Sequence, residues 1–261
     1  MTGARYTHGH HESVLRSHRW RTAENSCGYL LPHLRAGQAL LDVGCGPGTI
    51  TADLAARVAP GEVLGVDPGA SVVEEARRDF PGVRFEVGDL FDLDGRWDVV
   101  HAHQVLQHLA DPVAALRAMA SLTAPGGVVA ARDSDYPGFV WTGGDERLDR
   151  WLEVYLAVCR RNGANPDAGR HLLRWAHEAG LEHVTYSTST WTYATADERA
   201  WWGDLWSVRA TSSAFADQAV EYGIATAGDL ADIADGWRAW AATDDAVFVV
   251  LHGEVLARIP A

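Results

Sequence analysis

The sequence has few cysteines, no excess of positive charge and no long apolar run, and each shortage excludes a class of protein. Its 261 residues include three cysteines, at positions 27, 45 and 159, without the spacing of a metal site, so we expect reduced thiols. The formal net charge of −13 argues against nucleic acid as a partner, because phosphate contacts require clustered Lys and Arg. No run approaches the roughly 18 apolar residues of a membrane span, and no signal-peptide core is present near the start. We therefore expect a soluble cytoplasmic protein.

One stretch, residues 40–50, reads LLDVGCGPGTI and passes from an apolar strand through a glycine-rich turn into a helix. Glycine at positions 44, 46 and 48 leaves the turn without side chains, so a ligand can lie against the backbone N–H groups at the positive end of the helix. The dinucleotide fingerprint G-x-G-x-x-G does not fit, because the third glycine comes one residue early and Thr49 takes its place. The stretch predicts a ligand cradle, with a merely structural turn as the alternative.

The turn resembles motif I of the class I S-adenosylmethionine-dependent methyltransferases, in which an acidic residue is followed by G-x-G-x-G. Asp42, Gly44, Gly46 and Gly48 match that pattern, and Cys45 supplies a small side chain within it. The resemblance implies that S-adenosyl-L-methionine is the cofactor and that these five residues contact it.

Acidic residues also end the next two predicted strands. Asp67 comes about 20 positions beyond the turn and precedes Pro68, where a carboxylate can accept hydrogen bonds from both ribose hydroxyls of a nucleoside. Asp89 and Leu90 follow the third strand, and the resemblance implies that Asp89 accepts a hydrogen bond from the adenine amino group while Leu90 packs against the ring. We therefore predict that these four residues bind the cofactor. For each aspartate the alternative is an ordinary turn residue.

The fourth predicted strand continues into His103 and Gln104, and the fifth delivers Asp133 and Tyr136 to the same edge of the sheet. We favour His103 as a general base or acceptor-orienting group, because a neutral imidazole has an ordinary pKa near working pH, and Asp133 could hold its tautomer. His103 and Gln104 are also predicted to lie against the cofactor, and Tyr136 against the acceptor. A wall residue without proton chemistry is the alternative for His103.

Residues 1–35 read as a polar start followed by two helices, the second over 23–34. In the methyltransferases that the chain resembles, such helices fold over the cofactor, so Tyr6, His11 and Arg21 are candidates for the pocket. Plain surface positions are the alternative for all three. Arg21 is the one that we assign to the cofactor site.

The histidines at positions 8, 10 and 11 raise the question of a metal site. No Cys or acidic cluster with ligand spacing accompanies them. We therefore predict no metal.

Residues 195–243 separate the last two predicted strands and read as helical, with Thr195 and Glu198 forming a capping box. This insertion contains five tryptophans, at positions 201, 202, 206, 237 and 240. Aromatic side chains above the active edge of an α/β sheet make an apolar, water-excluding wall. Trp201 and Trp206 are therefore candidate acceptor contacts, unless the rings serve only to pack the insertion onto the sheet.

The predicted fold class is α/β: a doubly wound, seven-stranded, mostly parallel sheet with one antiparallel strand, N-terminal helices and a helical insertion before the last strand. We expect one domain over residues 1–261. Residues 1–35 would cover the cofactor, 36–194 and 244–261 would form the sheet core, and 195–243 would form a lid.

The resemblance implies transfer of a methyl group from S-adenosylmethionine to an oxygen, nitrogen, sulfur or carbon atom of a small, apolar or aromatic metabolite. Methyltransferases of exocyclic base amines carry an Asn-Pro-Pro-aromatic run after the fourth strand, and its replacement here favours a small-molecule acceptor. Within the family the chain is similar to the ubiquinone and menaquinone biosynthesis enzymes and to fungal thiol methyltransferases. A nicotinamide-dependent oxidoreductase and a cofactor-binding protein without catalysis remain alternatives, and homodimerisation stays open.

Overall fold

The computed structural model describes Thr7 and residues 12–261, so Tyr6, His8, His10 and His11 lie outside the described residues. None of the described helices has the length and apolar composition that crossing a membrane requires. The helices and strands, in chain order, are α1 (Glu12–Arg19), α2 (Ala23–Ser26), β1 (Leu40–Val43), α3 (Thr49–Val58), β2 (Val63–Asp67), α4 (Ala70–Asp79), β3 (Arg84–Val87), β4 (Trp97–His103), α5 (Pro112–Leu122), β5 (Thr123–Ser134), β6 (Val140–Thr142), α6 (Glu146–Arg161), α7 (Ala168–Glu178), β7 (Val184–Tyr193), α8 (Ala196–Ser212), α9 (Ala214–Glu221), α10 (Ala227–Ala242) and β8 (Val247–Arg258).

These strands form one sheet in the order β3-β2-β1-β4-β5-β8, with β6 and β7 also paired to β8. The first five strands are parallel to one another, and β8 runs antiparallel to its three partners. The predicted mostly parallel, doubly wound sheet with one antiparallel strand is confirmed. It has eight strands rather than seven, because the short β6 pairs with residues 247–249 of β8, beyond the part of β8 that β5 covers.

The helix predicted over residues 23–34 is wrong in length. α2 ends at Ser26, and a 3-10 turn, Leu31–His33, follows after a short loop. Gly28 and Pro32 explain the break, because glycine disfavours a helix interior and proline lacks the N–H that a continuing helix needs. The capping box at Thr195 is confirmed: its hydroxyl accepts from the Glu198 N–H, and the Glu198 carboxylate accepts from the N–H of Thr195.

Among the described residues, apolar side chains fill four regions around the sheet, the smallest of which contains Cys45, Val73, Ala76 and Phe85. One face packs on α5 and α7, and the other packs on α2 and α3. The third region is aromatic and joins α6, α8 and α10 to β8: Trp151 contacts Trp206 and Trp237 edge-on, with ring centroids 4.5 and 4.9 Å apart. Burial of such large rings holds the helical insertion against the sheet.

A buried polar group joins β1 to its neighbours below the glycine turn. Asp42 on β1 accepts a hydrogen bond from the Thr51 hydroxyl of α3 at 2.6 Å, and its other carboxylate oxygen lies 2.7 Å from Nδ1 of His101 on β4. His101 is fully buried, with Nε2 3.3 Å from the sulfur of Cys27. Burial alone would lower the pKa of His101, but Cys27 and the Asp42 carboxylate raise it to about 10.

This arrangement predicts a stability that depends on pH. Because the pKa of His101 in the folded protein lies above its ordinary value of 6.5, its contribution is fully present below pH 6.5 and is lost as the pH rises towards 10. Urea unfolding should therefore show His101→Gln less stable than wild type near neutral pH, with the difference shrinking as the pH rises. The exposed His177→Gln serves as control and should show a small, constant difference. A constant difference for His101→Gln would contradict a charged His101.

Candidate active site

A cavity of about 330 Å³ lies where the carboxyl ends of β1, β2, β4 and β5 meet. Parallel doubly wound sheets bind ligands at this edge, because the strand order reverses there and leaves a crevice. The glycine turn and the end of β2 line one part of the cavity. The ends of β4, β5 and β7, the loop after α1, and α8 line the rest.

The glycine turn has the open backbone that the sequence predicts. Gly46 has a φ of 53°, and the nearest atom to a side chain built there would be Nδ1 of His18 at 3.9 Å, so its place is open towards the cavity. Gly48 begins α3 with a φ of 84°, and a Cβ there would lie 2.7 Å from the Phe85 ring. Gly44 and Cys45 also line the cavity, whereas Gly48 lies behind it.

Two acidic residues of the predicted site line the cavity, but with different roles. Both carboxylate oxygens of Asp42 are engaged by the Thr51 hydroxyl and His101, so Asp42 supports the turn. Asp67 accepts from the Gly46 N–H at 3.0 Å and from the Gly69 N–H at 2.8 Å. Asp67 therefore fixes the turn at the wall of the cavity. Pro68 lines the cavity beside it.

Asp89 and Leu90 lie outside the cavity lining. The Asp89 carboxylate accepts a hydrogen bond from the N–H of Phe91 at 3.0 Å and begins a 3-10 turn, and Leu90 is buried in the apolar core. Their contact with an adenine ring stays a prediction.

Gln104 occupies a strained position at the centre of the cavity wall. Its φ of 55° places it in the left-handed region, which residues other than glycine adopt only when their surroundings hold them there. Its Oε1 accepts from Arg21 at 2.7 Å, and its Nε2 donates to the hydroxyl of Ser134 at 2.8 Å and lies 2.9 Å from Nε2 of His252. The predicted residues Arg21 and Gln104 are thus brought together, although they are 83 positions apart.

His103 lines the cavity, but the predicted partnership with Asp133 is wrong. In the β4–β5 register His103 pairs with Arg132, so these two side chains share a face of the sheet and Asp133 points to the opposite face. There Asp133 accepts from the N–H of Gln107 at 3.0 Å. Among the described residues, neither ring nitrogen of His103 has a hydrogen-bond partner.

The ionisation of His103 also differs from the expectation. Burial, followed by the charges of Arg132 and Arg21, lowers its pKa well below 6.5. His103 is therefore a neutral imidazole at working pH, and it binds a proton more weakly than a solvent-exposed histidine does. Burial raises the pKa of Asp133 to about 7, yet that carboxyl group does not line the cavity.

Aromatic residues form the wall opposite the glycine turn. Tyr136, Trp201 and Trp206 line the cavity as predicted candidates. Trp206 is also packed against Trp151, so the ring serves the aromatic core as well, and Tyr136 stacks on Tyr155 with centroids 4.1 Å apart. The packing interpretation therefore holds for Tyr136 and Trp206, and contact of these rings with an acceptor stays a prediction.

The cavity lining also includes residues that are absent from the predicted site, among them Tyr193, Trp202 and Arg209. Helical spacing contains a signal for two of them, because positions 202, 206 and 209 recur on one face of α8. Tyr193 pairs with Phe248 of β8 and stacks on Trp202, with ring centroids 4.3 Å apart. No local pattern places it at the cavity.

Comparisons with known proteins agree with this architecture. Residues 15–186 match the family described as Methyltransferase domain. An uncharacterized methyltransferase of Schizosaccharomyces pombe is 31% identical over 268 residues, covering 96% of this chain and 95% of that protein.

Two solved structures share the fold. The YcgJ protein of Bacillus subtilis superposes with a TM-score of 0.60 at 16% identity, covering 91% of this chain and 99% of its own. Phosphoethanolamine N-methyltransferase 2 of Haemonchus contortus, solved with S-adenosyl-L-methionine, gives a TM-score of 0.53 at 16% identity, covering 87% of this chain and 50% of its own. With the glycine turn and its cavity in place, the chain belongs to this methyltransferase domain family and is a class I S-adenosylmethionine-dependent methyltransferase.

Proposed function

We propose that this chain methylates an oxygen, nitrogen, sulfur or carbon atom of a small, apolar or aromatic metabolite. One observation carries the proposal: the glycine turn and the aromatic wall line the same cavity, so donor and acceptor can meet within it. Family membership removes the nicotinamide-dependent oxidoreductase as an alternative.

The residues at the glycine turn fit S-adenosylmethionine. Gly46 leaves backbone open to the cavity, and Asp67 stands beside it at the end of β2, where a carboxylate can accept hydrogen bonds from ribose hydroxyls. Gly44, Cys45 and Pro68 complete that part of the wall, and Arg21, His103 and Gln104 lie next to it. When bound, the cofactor supplies a methyl group that its sulfonium already activates.

The remaining contribution of the chain is alignment and the exclusion of water. α1 is connected to both sides of the cavity: Arg19 pairs with Glu75 of α4 at 2.6 Å, and Arg16 pairs with Asp204 of α8 at 2.8 Å. Trp20, just after α1, lies 5.6 Å from Trp201 of α8 between ring centroids. In this proposal residues 1–35 cover the cofactor, and residues 195–243 form the lid that selects the acceptor.

His103 is placed to orient the acceptor or to accept its proton. A neutral imidazole with two available ring nitrogens can hydrogen-bond an acceptor hydroxyl, amine or thiol. Its lowered pKa makes it a weak base, so proton transfer to His103 matters only for acceptors that stay protonated at working pH. The Asp133 carboxylate accepts a hydrogen bond from the backbone N–H of Gln107, so its proposed role is to hold that backbone and not to orient His103.

Replacing Asp67 tests the cofactor site. Asp67→Ala removes the acceptor for ribose hydroxyls and releases the Gly46 N–H, so the affinity for S-adenosylhomocysteine should fall at least about tenfold by calorimetry. Asp98→Ala is a matched control, because Asp98 accepts from the Ala39 N–H at 2.8 Å but does not line the cavity. Unchanged affinity in folded Asp67→Ala would reject the assignment of Asp67.

Replacing His103 tests its part in proton transfer. For an acceptor with a high pKa, His103→Gln should lower kcat/KM about 100-fold, whereas for an acceptor already ionised the loss should be small. Because the pKa of His103 is lowered, the wild-type rate should fall only at pH values below 6.5. Equal rates for wild type and variant with both acceptors would leave His103 as a wall residue.

A further inference from the structure

Two arginines line the cavity. Arg21 donates to the side-chain oxygen of Gln104 at 2.7 Å, and its guanidinium lies 5.6 Å from the ring centroid of Trp191. Arg209 of α8 is 4% exposed and donates to the hydroxyl of Ser17 at 3.1 Å. These contacts fix two positively charged, donor-only groups in the cavity: Arg21 lies beside the part assigned to the cofactor, and Arg209 lies on α8 with the tryptophans of the aromatic wall.

The carboxylates of the described cavity wall lie at the opposite end. They are Asp42 and Asp67, at the carboxyl ends of β1 and β2 beside the glycine turn. The cavity is therefore polarised, with acidic groups at the turn and Arg209 at the aromatic wall. In a chain with a formal net charge of −13, a cationic wall is a property of the site and not of the surface as a whole.

Two neighbouring side chains offer further hydrogen-bond donors. Tyr193 and Trp202 are 2% and 5% exposed, stack on each other and line the same cavity as Arg209. Among the described residues, the Tyr193 hydroxyl and the Trp202 indole N–H have no hydrogen-bond partner. Because buried polar groups are normally paired, a ligand that accepts hydrogen bonds would satisfy them. An indole N–H and a guanidinium can only donate, so the matching group is an acceptor with negative charge.

We propose that the acceptor metabolite is a carboxylic acid, with its carboxylate bound by Arg209 and the Trp202 N–H and its apolar part against the aromatic wall. This inference rests on the proposed function and deepens it by naming the substrate class. Arginine suits this role because its planar guanidinium matches a carboxylate in two parallel hydrogen bonds. The apolar part of the acid then extends along the rings towards His103 and the glycine turn.

Matched pairs of probes test the inference on the wild-type protein. Calorimetry on the protein saturated with S-adenosylhomocysteine would compare benzoate, trans-cinnamate and indole-3-acetate with their uncharged amides. Each amide keeps nearly the shape of its acid but lacks the charge, so at least one acid should bind about tenfold more tightly than its amide. Equal affinities within every pair, or no binding by any acid, would overturn the inference.

Variants then identify the residue that produces the preference for the acid over its amide. Arg209→Gln should abolish most of the preference for the acid while retaining S-adenosylhomocysteine affinity, and Arg209→Lys should restore part of it. Arg238→Gln, at an exposed position of α10, removes the same charge away from the cavity and should keep the full preference. Should Arg209→Gln fail to fold, Trp202→Phe keeps an aromatic ring at this position but removes the indole N–H donor, and it should reduce the preference. A preference that persists in folded Arg209→Gln would overturn the arginine assignment.

The same experiment separates two failures. A wild-type protein that does not bind S-adenosylhomocysteine would contradict the proposed function itself. A protein that binds S-adenosylhomocysteine but does not prefer acids over amides would contradict only the inference about the acceptor.

Discussion

The hydrogen bond from the Gly46 N–H to the Asp67 carboxylate is the constraint on which the cavity depends. It joins the glycine turn after β1 to the end of β2, and the second Asp67 oxygen holds the next turn through Gly69. Below it, Asp42 ties the same turn to α3 and β4 through Thr51 and His101. A turn built from glycine has little stiffness of its own, so these carboxylates supply the rigidity that a ligand cradle requires.

The aromatic side chains of the helical insertion, residues 195–243, give the cavity at the sheet edge an apolar wall. These rings are shared between the core and the cavity: Trp206 contacts Trp151 on one side and lines the cavity on the other. Because these rings are packed as part of a buried cluster, the wall is preformed rather than assembled on binding. The ion pairs of α1 to α4 and α8 are half-exposed and individually weak, which suits a covering element that has to admit substrate.

Backbone strain and buried polar side chains occur together at the carboxyl ends of β4 and β5. Gln104 adopts a left-handed backbone conformation and joins Arg21 to Ser134 and His252. His103, one residue earlier, is buried and uncharged. Backbone strain and the burial of polar groups persist only where the surrounding packing holds the conformation in place, and both are common at functional sites. This strained and buried region coincides with the wall of the candidate site.

The sequence by itself determined the features that depend on neighbours in the chain: the glycine turn at 44–48, the acidic residue Asp67 at a strand end, the capping box at Thr195 and the mostly parallel sheet. Each follows from local backbone chemistry or from a period that adjacent residues display. Only the tertiary structure decided which side chains meet. The β4–β5 register placed Arg132, and not Asp133, on the face of His103, because a shift of one residue reverses every side chain of a strand. Packing between elements that are far apart in the chain likewise brings Arg21 to Gln104, and it brings Tyr193 and Arg209 to one cavity. No local sequence pattern encodes these contacts.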